Sequence, residues 1–517
     1  MMRRRFIIGS LTIVAMLAAQ HVSQEPDAPA HRHVAAAVGR HYMRVSWTSV
    51  ENSRPGTTAW RLNSAAPSKA IQGFADHLSV PSGGGFKLYV KSADPWRVSA
   101  YRLGYYGGTG GRLVWTSHWV SPNRQHAAIT STATRTVEAP WAPSLTISQT
   151  WPPGVYLLKL RTLFDKQSYI PITVRSSSVV GRTVFMSSDM TLQAYNHWGG
   201  RSLYTGPDGK SPTRSYAVSF DRPYDANTTL RILDTEQPLI REAERLGLPM
   251  AYLSDVDVAT RAGILTGART VVVDGHDEYW TNHQRAAVTA ARDHGTNLLF
   301  FGANQMWWQV RLGATAVGSN RLVVCYKYAP DPLARKYPEL QTKNFRTLPS
   351  PMPESRVIGV QYTGLGAEAP FVVYEPAFFA FHDTGAKRGS AYQGLVGPEI
   401  DRSNPGKDSA TTLEIVGHSL AHCRAGACIS ESSYYTVASG AGVWAAGTMG
   451  WVDALGQGLL KLGATPATKT FVRIVTDNLL LDFADGPAAT RYPASPNVSR
   501  SGARSNTTPA DLNADTD

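Results

Sequence analysis

The chain has 517 residues, of which 43% are hydrophobic and 17% charged, and its formal net charge is +12. That length suffices for about two or three domains with a sizeable core, and 13 Trp with 22 Tyr exclude a generally disordered polypeptide. The positive charge is spread along the chain, with no dense basic run interleaved with aromatics, which argues against nucleic-acid binding; past the N-terminus no apolar run reaches the ~20 residues of a membrane-spanning helix.

Residues 1–20, MMRRRFIIGSLTIVAMLAAQ, place three arginines before an apolar run. This is the pattern of a signal peptide and resembles a twin-arginine leader, so an exported protein, periplasmic or extracellular, is expected. Retention of the leader as a membrane anchor is the alternative. Residues 21–66 are polar and read as a linker. From 67 to 178 short strands follow one another between Gly, Pro and Asn: FKLYVKS (86–92), WRVSAYRLGYYGG (96–108), SLTIS (144–148), GVYLLKLRT (154–162) and SYIPITVRS (168–176). Many short strands without a helical pattern predict a β-sandwich.

The pattern changes at about 179. TVFMSS (183–188), MAYLSD (250–255), TVVVDG (270–275) and TNLLFFGAN (296–304) read as continuously apolar strands. EQPLIREAERLG (236–247), TNHQRAAVTAARDHG (281–295) and TKTFVRIVTDNLLLDFA (468–484) read as helices. Alternation of this kind predicts a three-layer α/β domain over 179–485 with a mostly parallel sheet, resembling class I glutamine amidotransferases. Insertions are expected at about 320–450 and a disordered tail over 486–517. TVVVDGHDE has no cysteine, so the amidotransferase nucleophile is missing. The cysteines Cys423 and Cys428 in HCRAGAC can close a small loop in an oxidising compartment, leaving Cys325 as a buried thiol.

Three of the predicted strands end in chemistry. GHDEYW (275–280) puts His276, Asp277 and Glu278 directly after an apolar strand, and LQAYNHWGGRSLY (192–204) clusters Tyr195, Asn196, His197 and Trp198. FFGANQMWWQVR (300–311) brings Asn304, Trp307 and Trp308. In open α/β sheets ligands bind beyond the carboxyl ends of the strands, so this convergence marks a site. Asp277 also fits a cap for the helix starting near 281. A competing motif, GHSLA (417–421), resembles a nucleophile elbow around Ser419, but no helical pattern follows it.

Taken in order, RLGYYGGTGGRLV (102–114), WPPGVYLLKL (151–160), LQAYNHWGG (192–200), VSFDRPY (218–224), GHDEYW, FFGANQMWWQVR and GAGVWAAGTMGWVDAL (440–455) resemble the N,N-dimethylformamidase large-subunit family. The resemblance covers about residues 70–485. It implies an amidohydrolase acting on a small amide, with a mononuclear Fe(III) held by two tyrosines and a glutamate. The ligands it implies here are Tyr195, Glu278 and, by order and spacing, Tyr156, with Tyr105 and Tyr106 in the same β region. It further implies catalytic roles for His276, Asn304, Lys327 and Glu414. Asn196, Trp280, Trp307 and Trp308 are expected to contact substrate, the tryptophans as walls of an apolar pocket. Two phenolates and a carboxylate are hard oxygen donors carrying three negative charges, which suits Fe(III). A small partner subunit and homo-oligomerisation are also expected. The alternatives are a non-catalytic exported protein that binds its ligand in an aromatic cleft and a serine hydrolase using Ser419.

Overall fold

The computed structural model describes residues 46–64, 67–404 and 412–498; the leader, most of the linker segment and the end of the tail lie outside these. The described residues belong to one compact unit. The first described element is a short helix, Trp47–Asn52, capped by the Ser46 hydroxyl, which accepts a hydrogen bond from the Ser49 amide. Trp47 Nε1 donates to the Met250 carbonyl at 2.9 Å, so part of the stretch read as linker packs onto the body of the protein.

Two sheets face each other over residues 71–175. One is antiparallel and joins Ile71–Ala75, Gly85–Ser92 and Leu145–Ser148. The other runs Ser79–Pro81, Gln167–Arg175, Gly154–Thr162, Trp96–Leu103 and Gly111–Thr116, antiparallel except at its first strand. Their inward side chains, among them Phe86, Leu88, Val98, Leu158, Leu160 and Ile172, form a continuous apolar core, as alternating strands of a sandwich require.

The rest of the chain departs from the expectation. The seven-stranded sheet has the order Met250–Ser254, Thr183–Ser187, Thr270–Val273, Asn297–Phe300, Gly442–Ala445, Gly426–Thr436, Glu414–Cys423. Its first five strands are parallel and only four or five residues long, whereas its two longest strands form an antiparallel hairpin on one edge. Beside it lie a four-stranded mixed sheet, Ala217–Ser219, Leu322–Val324, Trp308–Gly313 and Tyr279–Thr281, and two antiparallel pairs, Val360–Leu365 with Glu399–Ser403 and Ala369–Val372 with Ala391–Val396. The predicted three-layer α/β domain with a mostly parallel sheet, resembling a glutamine amidotransferase, is therefore not what forms. The region read as insertions supplies antiparallel hairpins that extend and flank the sheet.

Helix Asn282–Asp293 is capped by Thr281, whose hydroxyl accepts from the Gln284 amide, so the expected cap at Asp277 is not used. The expected helix at 236–247 is the last part of a longer one. Helix Ala226–Arg231, capped by Asp225, passes through a π-helical turn, Ile232–Glu236, into helix Gln237–Arg245. The closing helix, Pro466–Ala484, starts at a Thr465 cap with proline in its first turn. The sandwich is tied to this body by Arg102, which is fully buried and whose guanidinium donates to both carboxylate oxygens of Glu244 at 2.5 and 3.1 Å.

Cys423 and Cys428 are bridged across the hairpin tip and Cys325 is buried and free. Ser419 lies inside the strand Glu414–Cys423, where its Oγ accepts from the Val372 amide at 2.9 Å. An elbow needs a strand-to-helix turn at the serine; this serine is mid-strand, which removes the serine-hydrolase reading.

Candidate active site

The segment 274–278 connects the parallel strand Thr270–Val273 to Tyr279–Thr281 of the neighbouring sheet. Thr191 of helix Asp189–Tyr195 fastens it. Its Oγ1 donates to Asp277 Oδ1 at 2.9 Å and accepts from the amides of Glu278 and Tyr279 at 3.0 and 3.1 Å. The amides of Trp307 and Trp308 both donate to the Glu278 carbonyl at 2.9 Å. Asp277 thus supports the loop from below, and burial together with the charge of Asp274 pushes its carboxyl well above the usual carboxylate range.

Glu278 faces two tyrosines. Tyr195 OH donates to Glu278 Oε2 at 2.8 Å, Tyr204 OH donates to the same oxygen at 2.5 Å, and the two hydroxyls are 2.9 Å apart. The other carboxylate oxygen, Oε1, accepts from Trp308 Nε1 at 2.8 Å. Tyr195 ends its helix. The chain then turns through Gly199 and Gly200, both at positive φ, and returns so that the Leu203 amide donates to the Ala194 carbonyl. Only this left-handed pair of glycines lets Tyr204 come back and stack on Tyr195, with ring centroids 4.4 Å apart.

His276 Nε2 lies 2.9 Å from Tyr195 OH and 3.5 Å from Glu278 Oε2. Its Nδ1 faces the Ala303 carbonyl at 3.2 Å and Glu399 Oε2 at 4.0 Å. A carbonyl can only accept, so Nδ1 carries the proton. Burial alone would lower the His276 pKa, but Glu399 and Glu278 outweigh it and raise the value to about 9. Burial likewise opposes the charge on Glu278, yet His276 and Lys327 hold its carboxyl below the usual range. Burial and the charges of Glu278 and Glu399 hold the Tyr195 phenol well above its ordinary pKa, offset in part by Arg231.

Asn304 follows the strand Asn297–Phe300 at φ +54°, and its amide nitrogen donates to Asp401 Oδ1. Its side-chain oxygen is buried without a hydrogen-bond partner among the described residues. Lys327, also at positive φ, carries its Nζ 3.5 Å above the Tyr204 ring centroid and 4.9 Å from that of Trp308.

The expected residues therefore divide. Tyr195, Glu278, His276 and Lys327 come together, and Asn304 adjoins them through Ala303. Tyr156 does not: it lies in the sandwich core, stacks on Trp151 and donates its hydroxyl to the Pro152 carbonyl at 2.6 Å. Glu414 does not either, because it opens the far edge strand of the seven-stranded sheet and accepts from the Ser495 amide. Asn196 has no capacity left for a ligand. Its amide donates to Gln193 and Pro223, and its oxygen accepts from Trp198 and Asp225. The expected tryptophan pocket is absent as such. Trp280 is a core residue bonded to the Asp277 carbonyl, Trp307 packs on Tyr362 and Arg346, and Trp308 holds Glu278.

Tyr204, Glu399 and Arg231 were missed. Tyr204 ends the very stretch singled out in the sequence, and the glycine pair was the available signal. Glu399 and Arg231 carry no local signal, since each reaches the cluster only through tertiary pairing. A cleft of about 500 Å³ between Gln72, Tyr169, Trp198 and Asp225 contains none of the cluster, and the chemistry points to the cluster.

Glu414 carries a stability prediction instead. Burial raises its pKa to about 7, against the single hydrogen bond from Ser495. A carboxyl whose folded value exceeds its unfolded one favours folding fully below about pH 4.5 and loses that contribution as pH rises through about 7. Glu414→Gln should therefore stabilise the protein at pH 8, by at most ~3 kcal/mol at about 1.4 kcal/mol per pKa unit, and hardly at pH 4. Urea unfolding at the two pH values measures this; an equal effect at both would refute it.

No match was found among the curated proteins. Among solved structures, a Paenibacillus sp. cycloisomaltooligosaccharide glucanotransferase complexed with cycloisomaltoheptaose aligns at 9% identity and a TM-score of 0.15, over 48% of this chain and 29% of that one, which carries no argument. The family model described as N,N-dimethylformamidase beta subunit-like, C-terminal, matches residues 97–464, a span that holds Tyr195, Tyr204, Arg231, His276, Glu278, Asn304, Lys327 and Glu399. The chain belongs to the N,N-dimethylformamidase beta subunit-like family.

Proposed function

We propose that the protein is an iron-dependent amidohydrolase that splits the C–N bond of an amide with water. The observation that carries this reading is the convergence of three oxygens: Tyr195 OH, Tyr204 OH and Glu278 Oε2 lie 2.5 to 2.9 Å from one another. Cis ligands around a hard cation with bonds of about 2.0 Å stand about 2.8 Å apart, so the donor set fits such an ion. Tyr195, Tyr204 and Glu278 would hold it, and the three negative charges match a trivalent iron. When bound, the cation supplies Lewis acidity, favouring phenolate over phenol, acidifying water and polarising an amide carbonyl.

The chain's own residues account for the rest. His276 Nε2 points at the donor oxygens and takes the proton of the attacking water. The same nitrogen then delivers that proton to the leaving nitrogen, which departs as an amine. Glu399 supports the imidazolium through Nδ1. Asn304, whose side-chain oxygen is buried without a hydrogen-bond partner among the described residues, would turn its Nδ2 to the developing oxyanion. Trp308 fixes the rotamer of Glu278.

The Cys423–Cys428 bridge supports export, because such bonds persist in oxidising compartments. Among the described residues no helix is long and apolar enough to cross a membrane. Membership of a family of enzyme subunits supports association with a small partner.

Expression in iron-replete medium tests the reading. Purified protein should contain about one iron per chain by elemental analysis, with a phenolate-to-iron charge-transfer band that Tyr195→Phe weakens and Glu278→Ala abolishes. Colourless, iron-free protein sinks the proposal.

A further inference from the structure

Arg231 is not used by the reaction as described, yet it sits at its edge. Its guanidinium carbon lies 4.0 Å from the Tyr195 ring centroid, as Lys327 Nζ lies 3.5 Å from that of Tyr204. The two rings are 4.4 Å apart, a gap that admits no cation, so the two positive groups occupy the outer faces of the stack. Arg231 is the last residue before the π-helical turn, which rests against Gly275 at the start of the ligand loop: the Gly275 amide donates to the Thr235 carbonyl. Such turns recur at functional sites because they re-aim side chains.

Several other enclosed arginines are paired or hydrogen-bonded, although Nη1 of the buried Arg285 lacks a partner among the described residues. Arg102 pairs with Glu244, Arg321 with Asp221 and Arg346 with Glu354, and Arg222 is bound by Gln193 and backbone carbonyls. The half-buried Arg231 guanidinium makes no hydrogen bond and no ion pair among the described residues. Its five N–H donors therefore have no hydrogen-bonded acceptor among the described residues, with the Tyr195 ring face against them and the charge of Asp234 nearby.

We infer that Arg231 receives a carboxylate of the substrate, so that the amides hydrolysed are of the N-acyl amino acid class. The planar fork of a guanidinium matches a carboxylate bidentately, which a neutral N-alkyl amide cannot exploit. This rests on the amidohydrolase reading. The water oxygen bonds to the acyl carbon, the C–N bond breaks and the amino acid leaves with the proton held by His276.

The test compares N-acetylglycine with N-isobutylacetamide, its near-isostere lacking the charge, on the iron-loaded full chain. Wild type should show a kcat/KM ratio of at least about tenfold in favour of the acid, carried mainly by KM. Arg231→Met should bring the ratio near one while keeping its iron and unfolding temperature, and Arg231→Lys should fall between. Equal kcat/KM for the two amides in wild type overturns the inference and leaves the amidohydrolase reading standing. If iron is absent and neither amide is hydrolysed, the parent reading fails; calorimetric binding then decides the inference, upheld by N-acetylglycine binding that Arg231→Met abolishes and overturned by none.

Discussion

Tyr204→Phe is expected to release the iron and to cost at least ~10²-fold in amide hydrolysis, whereas Tyr156→Phe should retain both. The two phenols differ by environment alone. Tyr204 OH is within 2.5 Å of Glu278 Oε2 and 2.9 Å of Tyr195 OH, so removing it deletes one of three donors and leaves two negative charges for a trivalent cation. Loss of an outer-shell partner typically costs 10–100-fold in metal affinity or activity, and loss of a ligand should exceed that. Tyr156 OH touches only a backbone carbonyl in the sandwich, so its removal costs about 1 kcal/mol of stability. Iron per chain, the charge-transfer band and turnover, measured on both variants, discriminate. If Tyr156→Phe loses iron and Tyr204→Phe keeps it, the assignment is wrong.

Arg102→Met is expected to destabilise the fold by about 3–5 kcal/mol, the usual cost of orphaning a buried charge. Arg102 and Glu244 are both fully enclosed, and the pair also engages Tyr106 OH, Tyr252 OH and the Pro153 carbonyl. A methyl group on Gly104 would meet Glu244 Oε2 at 2.1 Å, so the backbone closes tightly over the pair. The pair joins strand Trp96–Leu103 of the sandwich to helix Gln237–Arg245, the helix that begins, a π-turn earlier, at the site. The expected result is a lower denaturant midpoint, partly restored in Arg102→Met with Glu244→Leu, where no charge is stranded. A change under about 1 kcal/mol in the single variant would show that the pair is expendable.

The sequence carried the local pattern and little of the pairing. Apolar runs such as TVVVDG located four of the five parallel strands, and their carboxyl ends located the site, because strand ends are where side chains leave the core. Direction of pairing was not readable. A buried run of four residues suits parallel and antiparallel neighbours equally, and the hairpin Glu414–Cys423 with Gly426–Thr436 looked like loop-rich insertion. Two of the three proposed donors were legible for the same reason. Glu278 lies in the loop after one parallel strand and Tyr195 ends the short helix after another, but choosing the second tyrosine by spacing selected Tyr156, whose burial among Trp151 and Leu158 only the packing reveals. Composition also misassigned the tryptophans: an indole that lines a cavity and one that braces a loop read alike in a string of letters.

The loop 274–278 has five residues and is anchored at both ends in different sheets, with Thr191, Trp307 and Trp308 bonded along it. It has almost no slack. Cation capture would then cost little conformational entropy and bury little new surface, so the heat-capacity change on metal uptake should be close to zero. Stabilisation by the ion should follow mass action alone, rising with the logarithm of free metal, with no separate ordering transition preceding it.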